Sequence, residues 1–355
     1  MTHRSNIREI RRTAAVLTAA SLYEMLPGLE LLGGGETDTG FFYQFFYIHP
    51  IVPEIPRMIE ERMRQIVREE RPLREMEMVA CSAKELFLKR GHPAAVDALE
   101  ELEPKELVSL LRIGDFVDLA EGPFCPSLDE VGAFQILSIE SLGDQEYRLE
   151  GCAAASKDEL KALTRKLASY AENNHLVLGQ KLGLWKWFGS RILWLEKGLR
   201  ARQELIRHLK EKLCKEGLEV AARDVSLVEQ FAVSQGKLVF RLTQQVADPE
   251  GNGGLLEDVC QTQLEVFLPS TKNSPLQTVE ETLMILGFRG FLCSQGQSPR
   301  EKEWIVEDGL GRSHTAVVLN SSDTLWRVSI GVERILALLL ERTAGELPQW
   351  LTIEK

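Results

Sequence analysis

The chain has 355 residues, 44% of them hydrophobic and 27% charged, with a formal net charge of −11. That length supports two domains, each with its own core, and the composition excludes a disordered or fibrous chain. The acidic balance excludes a surface that holds polyanions by charge alone, because nucleic-acid affinity rests largely on Lys and Arg displacing phosphate counterions; a local basic face stays open.

The opening "MTHRSNIREIRRTAAVLTAASLYEML" carries four arginines ahead of an apolar stretch. That stretch is too short and interrupted for a membrane span, and Asn6 and Glu9 do not suit a signal peptide, so an amphipathic helix is expected. Gly33-Gly34-Gly35 is expected to break the chain and Gly40 to start an aromatic strand. Ile55, Met58, Ile59, Met63, Ile66 and Val67 then fall at helical spacing. Ser82 with Glu85 predicts a capping box for a short helix ending at Gly91, and a strand-rich segment runs from Ile113 to Leu149. Ser156 with Glu159 predicts a second capping box, for a helix with Leu160, Leu163, Leu167 and Tyr170 on one face.

The expected domain boundary lies near residue 157, giving a first domain of 1–156, a linker helix of 157–180 and a second domain of 181–355. The second domain opens with a helix bearing Leu205, Leu209 and Leu213. Short strands follow ("KLVFRL", "LEVFL", "FRGFLC", "EWIVED", "TAVVLN", "WRVSI"), interrupted by a helix begun at Ser274-Pro275, and "GVERILALLLERTAG" closes the pattern. Runs of strands with few helices predict an α+β chain of two domains, the second a mostly antiparallel sheet backed by helices. The six cysteines, Cys81, Cys125, Cys152, Cys214, Cys260 and Cys293, form no CxxC pair, which fits buried, reduced thiols of a cytoplasmic protein.

"GFFYQF", "EIPRMIEERM", "RIGDFVDLAEGP", "AFQILSIESL" and "YRLEGCAA", in that order, resemble the editing-type domain of the threonyl-tRNA synthetase family. "NHLVLGQKLGLW", "LWLEKGLRARQELIRHLKEKL" and "WRVSIGVERILALLLERTAGELPQWL" resemble its class II catalytic half, shortened here. The resemblance implies a tRNA-related role, a dimer, and a chain lacking the family's anticodon-binding domain. "RIGDFVDLAEGP" is also similar to a segment of a mitochondrial large-subunit ribosomal protein of the same descent, which has no synthetase activity.

The departures from the family pattern decide the functional expectation. The resemblance implies a His-x-x-x-His pair on the first helix, where this chain has Val16 and Ala20, or Leu17 and Ser21 with a shift of one place. It implies a Cys and a His downstream, where Ala120 and Phe124 stand. The motif 2 arginine is replaced within Val246-Ala247-Asp248-Pro249, and two zinc-binding histidines correspond to Glu265 and Trp326, so zinc is not expected. Asp118 is retained, and Cys125 lies one place from Phe124, which makes these two the weak catalytic candidates. Arg334 and Glu333 stand where the family meets ATP; a residual nucleotide site and a pair tying helix to sheet are the two readings, with the second preferred.

The glycine-rich "DPEGNGGLLED" is read as a hairpin loop rather than a phosphate cradle. His175 and His314 are read as isolated structural residues, and Trp185, Trp187 and Trp194 as core or interface anchors. The expected function is therefore that of a non-catalytic synthetase paralogue, a scaffold binding a synthetase, a ribosomal component or a second copy, with tRNA a further partner, no resident cofactor and no membrane. An aminoacyl-tRNA ligase or hydrolase with altered residues is the alternative.

Overall fold

A computed structural model describes residues 6–188, 191–215, 217–245, 261–270, 275–288, 291–293 and 300–346, with Pro348 and Leu351. Its contacts divide the chain into two compact units, Met1–Lys166 and Leu167–Lys355. The α+β character is as expected, with a main core in each unit, and among the described residues the sheets are antiparallel except for one pair of strands.

Unit 1 begins with α1 (Ile7–Met25), β1 (Glu30–Glu36), β2 (Phe41–Phe46), α2 (Ile55–Arg68) and β3 (Leu73–Val79). Then come α3 (Ala80–Arg90), α4 (Pro93–Ala98), β4 (Leu107–Ile113), β5 (Phe116–Leu119), β6 (Ala133–Gly143) and β7 (Glu146–Ala154). One sheet has the order β1-β2-β7-β6 and a smaller one β3-β4-β5.

Helix α1 is not simply amphipathic. Every residue from Thr13 to Leu22 is buried, which is the pattern of a helix enclosed on all sides. Alanines at 14, 15, 19 and 20 let β1, β2, β7 and α2 approach it closely, and Leu17 and Leu22 are fully buried among Phe41, Phe45 and Met63. Each such large side chain contributes on the order of 1.5–3 kcal/mol. Asn6 and Glu9, noted above only as unsuited to a signal, form the capping box of this helix: Arg8 N–H donates to Asn6 Oδ1 at 2.7 Å and Asn6 N–H to Glu9 Oε2 at 3.0 Å.

Two local expectations are corrected. Gly33 to Gly35 do not break the chain; β1 runs through them beside β2, because a Cβ at Gly34 would strike the Tyr43 ring and the Phe42 carbonyl. The Ser82–Glu85 capping box does not form, since α3 already begins at Ala80 with Val79 as its cap. The Ser156 cap does form, Glu159 N–H donating to Ser156 Oγ at 3.2 Å at the head of α5 (Lys157–Asn173).

Unit 2 contains the end of α5, then α6 (His175–Lys181), β8 (Trp185–Phe188), β9 (Arg191–Trp194), α7 (Glu196–Leu213), β10 (Leu218–Glu219), α8 (Val225–Gln235), β11 (Val239–Gln245) and β12 (Gln261–Pro269). It continues with α9 (Leu276–Ile285), β13 (Phe291–Cys293), β14 (Glu301–Glu307), β15 (Ser313–Ser321), β16 (Leu325–Gly331) and α10 (Val332–Arg342). The main sheet has the order β10-β11-β12-β16-β15-β14-β13, with β10-β11 its only parallel pair. Period-2 alternation sends Leu264, Val266, Val328 and Ile330 to one face, where they pack with α7, α9 and α10. Val239, Phe267 and Leu325 face the other way and pack beneath α8. Arg241, Glu265 and Arg327 share that second face by register. Among the described residues no helix is long and apolar enough to cross a membrane.

Candidate functional site

Unit 1 contains a cavity of about 360 Å³. Its walls come from α1 (Arg12, Ala15, Val16), β1 (Leu31 to Glu36), Tyr43 of β2, the α4 region (His92, Ala94, Ala95, Ala98), the end of β5 (Asp118, Leu119) and the segment after it (Glu121, Phe124). The stretch "RIGDFVDLAEGP" thus supplies one wall, and its aspartates separate: Asp118 lines the cavity, whereas the Asp115 side chain is 96% exposed.

Asp118 is half-buried, and both of its carboxylate oxygens are engaged. The Tyr43 hydroxyl donates to Oδ2 at 2.7 Å and Leu119 N–H to Oδ1 at 2.8 Å. Burial outweighs these bonds and pushes its pKa up to about 6, while Tyr43 is pushed upward by burial and by the Asp118 charge. Arg12 pairs with Glu36 through Nε at 2.9 Å and through Nη2, and its Nη1 donates to the Pro123 carbonyl at 3.2 Å. The hydrogen bond to Arg12 lowers the Glu36 pKa, as expected for a partly buried pair.

The remaining positions named from the sequence carry no hydrolytic chemistry into this space. Val16 and Phe124 line it as apolar walls. Ala20, Leu17 and Ser21 lie in the core, with the Ser21 hydroxyl donating to Leu17 O at 2.8 Å, and Ala120 packs against the same core. Cys125 is buried, is not among the cavity-lining residues, and its backbone N–H donates to Thr13 Oγ1 at 2.9 Å. Sequence reasoning missed His92, whose residue lines the cavity. Its ring is stacked on Phe87 at 5.5 Å and lies near Tyr23 and Phe116, and neither ring nitrogen has a hydrogen-bond partner among the described residues. Burial lowers its pKa to about 4, leaving it neutral at pH 7. The only available signal was "GHP" after a helix, which marks a cap and a turn, not a cavity.

In unit 2 the candidate residues are tied into the scaffold. Glu333 does not pair with Arg334. Its Oε2 accepts from Thr262 N–H at 2.7 Å and its Oε1 lies 2.6 Å from Arg202 Nε on α7. The Arg202 Nε–H is not aimed along that line, so this contact is an ion pair and not a hydrogen bond. Arg334 donates through Nη1 to the Thr315 carbonyl at 2.7 Å. Glu265 is enclosed between two arginines: Arg241 Nε donates to Oε2 at 2.6 Å, Arg327 pairs with Oε1, and both guanidinium groups lie 5.8 Å from the Phe267 ring. Trp326 is half-buried on β16. Val246 to Pro249 and the glycine-rich stretch that follows lie outside the described residues. Among the described residues no three metal-ligating side chains cluster.

His175 and His314 are structural but not isolated, because one network contains both. His175 Nδ1 is 2.5 Å from Glu341 Oε1, and His314 Nε2 is 3.0 Å from Asp308 Oδ2. Arg312 donates to Asp308 at 2.6 Å and to the Tyr170 hydroxyl at 2.9 Å, and that hydroxyl donates to Glu341 Oε1 at 2.7 Å. Trp185 is a core anchor, fully buried and edge-on to Trp194 at 5.0 Å, with its Nε1–H donating to Leu176 O at 3.2 Å; the Trp187 side chain lies outside the described residues.

No protein-family model matches the chain. It is 29% identical over 218 residues to a threonine–tRNA ligase of Marinobacter nauticus, a match covering 59% of this chain and 34% of the relative. It is 32% identical over 219 residues to that of Rubrobacter xylanophilus, covering 58% of this chain and 33% of the relative. The matched segment thus spans about a third of the length of these curated relatives. Among solved structures, Giardia lamblia prolyl-tRNA synthetase in complex with prolyl-adenylate aligns with a TM-score of 0.42 and 12% identity, covering 52% of this chain and 56% of that one. Over 59% of its length, then, this chain is similar in sequence to a threonine–tRNA ligase.

Proposed function

We propose that the protein is a non-catalytic relative of threonyl-tRNA synthetase that works in translation by binding, as a scaffold for a protein partner. The observation that supports this most directly is the lining of the unit 1 cavity. Where the family resemblance calls for histidines and a cysteine, the chain has Val16 and Phe124 in the cavity wall and Ala20 and Ala120 in or against the adjoining core, and none of these can ligate, activate water or move a proton. Of the polar side chains in the cavity wall, Asp118 is bonded to Tyr43 and Arg12 to Glu36, and His92 and Glu121 complete the set. In unit 2, Glu265 and Glu333 are held by arginines, and Arg334 by a backbone carbonyl. A retained fold with its polar groups turned inward suits recognition more than turnover.

The hydrolase alternative has one specific observation in its favour: His92 and Asp118 line the same cavity. Release of amino acid from seryl- and threonyl-tRNA decides between the two readings. The scaffold reading expects no release above the buffer rate. Release that disappears in both His92→Ala and Asp118→Asn, with the fold intact, would establish the hydrolase instead.

A further inference from the structure

Helix α5 is 17 residues long, yet none of its residues is fully buried. Hydrophobic packing therefore contributes little to holding its unit 2 portion, residues 167–173, in place, and a helix of that length is marginal by itself in water. What that portion has instead is Tyr170. Its hydroxyl donates to Glu341 Oε1 at 2.7 Å and accepts from Arg312 Nη2 at 2.9 Å, and the Arg312 guanidinium lies 5.4 Å from its ring. Gly309 permits this fit, since a Cβ there would sit 3.1 Å from Tyr170 Cδ2.

Glu341 is the hub. Its Oε1 also accepts from His175 N–H at 3.2 Å and contacts His175 Nδ1 at 2.5 Å, while Oε2 accepts from Gly309 N–H at 3.0 Å. Arg312 is fixed in turn by Asp308, which also accepts from Leu310 N–H and Arg312 N–H and contacts His314. One carboxylate near the end of α10 thus collects bonds from α5, α6 and the 308–312 turn, and the Glu341 side chain is only 2% exposed. Removing one donor from a shared buried acceptor weakens the others, so such a hub makes and breaks as a unit.

We propose that the Tyr170–Glu341–His175 cluster is a conformational latch that holds residues 167–176 against the rest of unit 2, giving this segment a docked and an undocked state. Leu176 packs against the unit 2 core, whereas docking of 167–173 depends on this polar switch point, which places 167–173 among the parts of unit 2 that open before the sheet does.

Hydrogen exchange of the full chain tests this with Tyr170→Phe and Glu341→Gln. Both variants should exchange the 167–173 amides at least tenfold faster than the wild type, with β12 and β16 unchanged. Tyr170→Phe combined with Glu341→Gln should loosen the segment no further than Glu341→Gln alone. Unchanged exchange at 167–173 in Tyr170→Phe, or equal acceleration in β12 and β16, would overturn the latch. Tyr170→Phe removes only a hydroxyl, so it gives an answer even if Glu341→Gln fails to fold.

Discussion

Asp118 is a carboxylate whose charge opposes the stability of unit 1. Its folded pKa of about 6 lies above the ordinary value of 3.8, so the native state binds its proton more tightly than the unfolded chain does. Stability contributed by this group is thus present below pH 3.8 and lost as pH rises through 6. The loss is on the order of 3 kcal/mol at neutral pH. Asp118→Asn should raise the denaturation midpoint of unit 1 at pH 7.5 and flatten its pH dependence between 4 and 7; an unchanged or lower midpoint at pH 7.5 would show that the charge is not costly. Asp308 and Glu341 have the opposite sign. Their hydrogen-bond donors hold both below the usual carboxylate range, so their contribution is present at neutral pH and is lost in acid. Glu341→Gln should therefore destabilise unit 2 at pH 7 and reduce its sensitivity to acid.

At the scale of elements, the buried Arg241 of β11 and the half-buried Arg327 of β16 hold Glu265 in place. Arg241→Ala leaves that carboxylate with one partner in a buried setting, a change that costs roughly 3–5 kcal/mol, and the loss should appear as a lower urea midpoint for unit 2. In β1, Gly34→Ala would place a methyl against the Tyr43 ring and the Phe42 carbonyl. Displacing Tyr43 removes its bond to Asp118, so this substitution should cost about 1–3 kcal/mol and shift the Asp118 titration, readable by NMR. Much of the element pattern was legible in the sequence, because period 2 and period 3.6 record burial directly: the Ile59, Met63, Ile66 stripe of α2 and the strands β11 to β16 are such cases. The passage of β1 through three glycines was not, since glycine marks turns locally and only the Tyr43 ring across the strand requires its absence of a side chain. Nor was the all-round burial of α1, whose alanines carry no periodicity of their own.

For the whole molecule, the similarity to threonyl-tRNA synthetase was legible in the order of its segments. Three-dimensional convergence was not. His92 enters the cavity wall from the α4 region, and His175 meets Glu341 across 166 positions of sequence, so neither contact leaves a local signal. The chain keeps threonyl-tRNA synthetase-like sequence over 59% of its length, while Asp118, Glu333 and Arg334 are each bonded to neighbours within their own unit. ATP–pyrophosphate exchange, measured on the purified full chain with all twenty amino acids, tests the scaffold reading most directly. The scaffold reading predicts no exchange above the enzyme-free rate with any of them; exchange that depends on one amino acid and is abolished by Arg334→Ala would contradict it.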